Sequence, residues 1–121
     1  MIGLIERIGD SVMKYEELKK TLAEYNWDDG FEIPKQLLDD SNCDLALALE
    51  IFYLADGYAY LDNPVANPKL EKWSVFIAEL YNDILHEKYI ATESSFKIPL
   101  SKVEQYKFRK KQVPEVFLTD L

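Results

Sequence analysis

The sequence predicts an all-α protein: a single domain of five or six helices arranged as stacked helical hairpins. Two observations lead to this. Apolar residues recur in steps of three and four along most of the chain, and the stretches so patterned are separated by short runs of Asn, Asp, Gly and Pro. The chain has 121 residues, 48% of them apolar, which suits one compact domain with a real core and is too apolar for a disordered chain.

The first helical pattern spans residues 2–25, with Ile5, Ile8, Val12, Tyr15, Leu18, Leu22 and Tyr25 on one face. Gly9 and Asp10 mark a break within it, with Asp10 or Ser11 as a cap for its second part, and the helix ends at Asn26. NWDDG follows as a turn, because Asn, Asp and Gly tolerate unusual backbone angles. Pro34 suits the first turn of a short helix, PKQLLDDS, since its missing N–H would be unpaired there anyway. After a turn at 41–44, Asp44 is a good N-cap for DLALALEIFYLADGY, with Gly57 ending that helix. Leu45, Leu49 and Phe52 form one apolar stripe of this segment; Leu47, Ile51, Leu54 and Tyr58 form another. A helix apolar on nearly every side is the buried central one, so Glu50 must reach solvent or find a partner.

Residues 62–68, DNPVANP, read as a loop in which Asn67 caps and Pro68 opens the next helix. That helix has the clearest period: Trp73, Phe76, Ile77, Leu80, Tyr81, Ile84 and Leu85, running to about Lys88. Ser101 and Glu104 match the capping box S-x-x-E and open a last helix that runs to Lys111 or Gln112. The tail from Pro114, with Val116, Phe117 and Leu118 together, is expected to pack down on the fold.

The residues offer little for catalysis. A nucleophile needs a base and an orienting group. Cys43 and His86 are the available pair: Cys43 reads as a small buried residue at a turn, and His86 as a surface residue at a helix end. The spacing of a calcium loop is absent, because Asp28 and Asp29 are adjacent. One Cys and one His do not make a zinc site, and the four glycines are too scattered for a phosphate loop. No catalytic residue, metal or cofactor is expected. A single Cys allows no internal disulfide, and MIGLIERIGD has an acid and a base inside its apolar stretch, unlike a signal peptide. No apolar run is long enough for a membrane span. A cytoplasmic protein is therefore expected.

The net charge of -8 is uneven. Residues 24–62 hold ten acids against Lys35 alone, while the C-terminal part is basic around KFRKK at 107–111. Such an acidic field repels nucleic acid and attracts basic proteins. The basic helix end is read as a solvated face that pairs with the acidic third of its own molecule. Trp27 lies beside Asp28 and Asp29, and Tyr58 and Tyr60 lie between Asp56 and Asp62. Aromatic anchors ringed by charge are typical of protein interfaces.

The blocks NWDDGFEIP and CDLALALEIFYLADGY, in that order, resemble a small uncharacterised bacterial family of helical domains that is similar to immunity proteins of toxin systems of the contact-dependent growth inhibition type. The resemblance covers about residues 20–61. It implies a small inhibitor, monomeric as the favoured state, that binds a cognate toxin domain, often a basic nuclease. The interface expected on this reading comprises Trp27, Asp28, Asp29, Glu32, Asp39, Asp40, Asp56, Tyr58, Tyr60 and Asp62. Two rival readings are a helical adaptor for a basic peptide or subunit, and an enzyme using Asp28, Asp29, Glu32, Glu50 or Asp56.

Overall fold

A computed structural model describes residues 14–64 and 70–121. The described residues are all-helical, as the periodicity predicts: α1 Tyr15–Glu24, α2 Glu32–Asp39, α3 Leu45–Leu54, α4 Gly57–Asp62, α5 Glu71–Leu85 and α6 Lys102–Lys110, with no strand among them. A 3₁₀ turn, Trp27–Asp29, lies between α1 and α2, and another, Glu115–Phe117, follows α6. The chain divides between Cys43 and Asp44 into two compact units.

In the first unit α1 packs on α2. Leu18 and Leu22 of the expected stripe are buried, while Tyr15 and Tyr25 are half-buried. Ile5, Ile8, Val12 and the break at Gly9 and Asp10 lie outside the described residues. α2 starts at Glu32, two residues before the expected Pro34, and buries Pro34, Leu37 and Leu38. Proline is tolerated third in the helix for the reason that favours it first: the N–H groups of the opening turn have no partner within the helix. α2 ends at Asp39 because Asp40 takes extended backbone. The Asp40 carboxylate accepts the Asn42 N–H at 2.9 Å and its carbonyl accepts the Cys43 N–H at 3.0 Å. This local turn competes with a further turn of helix. Cys43 is buried, as read from the sequence.

In the second unit Asp44 caps α3, its carboxylate accepting the Leu47 N–H at 2.9 Å. α3 is the central helix expected, with Ala46, Leu47, Ala48, Leu49, Ile51 and Phe52 buried, and it packs on α4 and α5. Glu50 is half-buried, at the helix surface. The helix stops at Leu54, four residues before the expected Tyr58. Gly57 does not end it by turning left-handed; Asp56 does, with φ 65°. Gly57 instead opens α4, so close to Phe52 that a Cβ there would stand 2.2 Å from the ring and 2.6 Å from its carbonyl oxygen. The break divides the second predicted stripe: Leu54 is 50% exposed, and Tyr58 belongs to α4. The carbonyl of Ala55 at the break accepts the Trp73 indole N–H at 2.7 Å.

α5 buries Phe76, Ile77, Leu80 and Ile84 and ends three residues before the expected Lys88, where Glu87 turns left-handed with φ 61°. The expected cap Asn67 and first residue Pro68 lie outside the described residues. Residues 88–100 run without helix and return to the start of α3, where the Leu45 N–H meets the Ile90 carbonyl at 2.8 Å. α6 has the full capping box predicted for Ser101 and Glu104. The tail packs down: Phe117 and Leu118 are buried, and Phe117 lies 5.0 Å from Phe52 and 4.7 Å, ring on ring, from Tyr81.

Candidate functional site

The ten residues read as an interface fall six on the first unit and four on the second. On the first, Asn26 accepts the Asp28 N–H at 3.0 Å and starts the 3₁₀ turn that carries Trp27, Asp28 and Asp29. Gly30 then reverses the chain with φ 92° and ψ -158°, backbone that side chains strongly disfavour. The Tyr25 hydroxyl donates to the Gly30 carbonyl and ties the turn to the end of α1. Trp27 is half-buried, edge-on to Tyr25 with ring centres 5.3 Å apart. Asp28, Asp29 and Glu32 are exposed. Burial, then the charges of Asp29 and Glu32, raise the Tyr25 pKa. Asp39 is exposed and Asp40 half-buried at the other end of α2, about 10 Å along the helix from Glu32. The first unit therefore presents two acidic ends of one short helix, with the indole at the first.

On the second unit, Asp56 is exposed at the left-handed turn between α3 and α4. Tyr58 is half-buried, its ring 5.2 Å from Phe108, and hydrogen-bonded to Glu104. Burial, followed by the Glu104 charge, raises its pKa. Tyr60 faces Tyr81 at 5.1 Å. Asp62 pairs with Lys111: the ammonium lies 3.1 Å from Oδ1 and 3.1 Å from the Asp62 carbonyl oxygen. This pair joins the basic helix end to the acidic third of the chain, as the sequence reading expected. Tyr60 and Asp62 share a cavity of about 330 Å³ with Tyr81, Pro64 and Lys111.

Sequence reasoning did not find Tyr81 or Lys111 as parts of a site. Tyr81 reads in the sequence as one position of an apolar helix face, and nothing local shows that its ring stacks on Phe117 and also meets Tyr60. Lys111 belongs to a basic run in the sequence, and its partner Asp62 lies 49 residues away. Asp44 is the cap that the sequence predicts; it is also only 3% exposed and accepts a hydrogen bond from the Thr92 hydroxyl at 2.6 Å, a contact across 48 residues. Among the described residues no three His, Cys, Asp or Glu side chains converge in a way that would hold a metal ion, and no helix is long and apolar enough to cross a membrane.

A family model described as a domain of unknown function (DUF4274) matches residues 14–85. The match takes in both sequence blocks and α1 through α5; α6 and the tail lie beyond it. Neither a curated protein nor a solved structure matches the chain.

Proposed function

Since the chain belongs to the DUF4274 family, whose function is unknown, we propose a role from its surface: an immunity protein of the bacterial cytoplasm that binds and neutralises a cognate, basic, nuclease-type toxin domain. The observation that carries this reading is the placement of the acids. Asp28, Asp29, Glu32, Asp39, Asp56 and Asp62 are all exposed, while the aromatic rings among them are half-buried and held by neighbours. Exposed carboxylates steer a basic partner towards the surface and speed association, to about 10⁸ M⁻¹s⁻¹ at low salt. Rings already fixed in place lose little freedom on binding and make good anchors. A toxin that holds nucleic acid by its phosphates has the complementary basic surface. Neutralisation then needs coverage of that surface and no catalysis by the inhibitor.

Capture with tagged protein from the source cells and their close competitors, at low and then moderate salt, tests this reading. The expected result is a basic toxin domain whose association slows as salt rises, and whose capture is lost when Asp28, Asp29 and Glu32 become Asn, Asn and Gln. Retention of a housekeeping complex would support the helical adaptor instead. A variant that loses stability without losing the partner would make these carboxylates turn and cap residues.

A further inference from the structure

We propose that the cavity between Tyr60, Tyr81 and Asp62 receives the guanidinium end of an arginine side chain from a partner protein, a place held beforehand by the chain's own Lys111. The inference rests on the toxin-binding reading only for the partner being a protein; the pocket chemistry stands on its own residues.

The Lys111 ammonium defines a cation position. It lies 3.1 Å from Asp62 Oδ1 and 3.1 Å from the carbonyl oxygen of the same residue, so Asp62 offers two acceptors side by side. A single ammonium meets such a pair as a point charge; a guanidinium meets it with two N–H groups in a fixed fork. The walls favour the same group. Tyr81 is stacked against Phe117 with only 3° between the ring planes, which fixes its orientation, and Tyr60 meets it at 5.1 Å with a tilt of 53°. Planar cations lie well against aromatic rings, and arginine does so more often than lysine. A cavity of about 330 Å³ has room for the head and the end of the stem of an arginine side chain.

Exchange is easy because the resident pair is exposed. The Lys111 and Asp62 side chains are 46% and 47% accessible, and ion pairs in that setting contribute little. Lys111 swings out on a four-carbon stem while Asp62 stays where α4 ends. Tyr60, Asp62 and Tyr81 lie inside the family match, while Lys111 lies beyond it with Gln112 and Val113, which also line the cavity.

The test is a titration of the isotope-labelled full chain with N-acetyl-arginine amide, followed by NMR, beside its neutral isostere N-acetyl-citrulline amide. The spectrum of each variant also reports whether it is folded. Saturable shifts centred on Tyr60, Asp62 and Tyr81 are expected with arginine and not with citrulline. Lys111→Met should bind arginine about tenfold tighter, and Asp62→Asn about tenfold weaker, because one removes the competitor and the other the charged acceptor. Equal binding of citrulline, shifts elsewhere, no saturation in Lys111→Met, or no gain from Lys111→Met would overturn the proposal. Arginine binding without any captured toxin would leave the pocket and remove the immunity reading. A captured toxin whose affinity Asp62→Asn leaves unchanged would remove the pocket alone.

Discussion

Single residues show where sequence reading succeeds and where it stops. Two glycines look alike in the sequence and act differently in the fold. Gly30 has open space around it and a backbone that other residues strongly disfavour. Gly30→Ala should therefore cost about 1–3 kcal/mol through strain alone. Gly57 has an ordinary φ but no room, with the Phe52 ring 2.2 Å and the Phe52 carbonyl 2.6 Å from where a Cβ would stand. Gly57→Ala should cost about 1–3 kcal/mol through overpacking, and a smaller residue in place of Phe52 should rescue part of the loss. Denaturant unfolding of both alanine variants, and of Gly57→Ala combined with Phe52→Leu, separates the mechanisms: rescue is expected for Gly57 and not for Gly30. The turn at NWDDG was legible because Asn, Asp and Gly announce their backbone. The close approach at Gly57 was not, because it depends on a ring five residues back in a helix that has to stop first. Asp44 belongs with the second kind. Its role as a cap was visible, but its burial with Thr92 was not, so Asp44→Ala should cost about 2 kcal/mol, more than an exposed cap would.

At the scale of the element, periodicity identified α1, α3 and α5 and most of their buried faces, Leu54 and Leu85 being exposed, and a capping motif identified α6. The ends were less legible. α3 and α5 both finish at left-handed residues, Asp56 and Glu87, that no glycine marks. The α6 capping box lends itself to a pH test. Hydrogen bonds from the Ser101 backbone and side chain hold the Glu104 carboxyl below its usual value of 4.5, with Tyr58 adding a further bond. A carboxyl depressed in the folded state stabilises above its unfolded pKa, and that contribution disappears as pH falls through the folded value. Glu104→Gln should thus be less stable than the parent at neutral pH, and the gap should narrow below about pH 4.5. A gap that stays constant down to pH 2 would show that the charge on Glu104 contributes nothing. Ser101→Ala should lower stability by about 1 kcal/mol and loosen the start of α6, measurable by amide exchange at the first turn.

For the whole molecule, composition spoke most clearly. Ten acids in residues 24–62 predicted an acidic surface, and the structure exposes Asp28, Asp29, Glu32, Asp39, Asp56 and Asp62. The candidate site was legible as far as its charge and aromatic content. Its grouping was not: the residues divide between two units, and the cavity at Tyr60 and Asp62 draws on Tyr81 and Lys111, which lie far off in sequence. Pairing of that kind depends on the path of the chain after α5, for which the sequence holds no local signal. The family match covers both blocks, while the role proposed for the surface rests on chemistry.

The most direct test of the central claim is growth protection. The toxin domain recovered by capture would be expressed from a controlled promoter in cells carrying this chain, its Asp28→Asn, Asp29→Asn, Glu32→Gln variant, or an empty vector. The account predicts full growth with the parent chain and loss of protection with the folded neutral variant. Toxicity undiminished by the parent chain would contradict it, as would full protection by the variant.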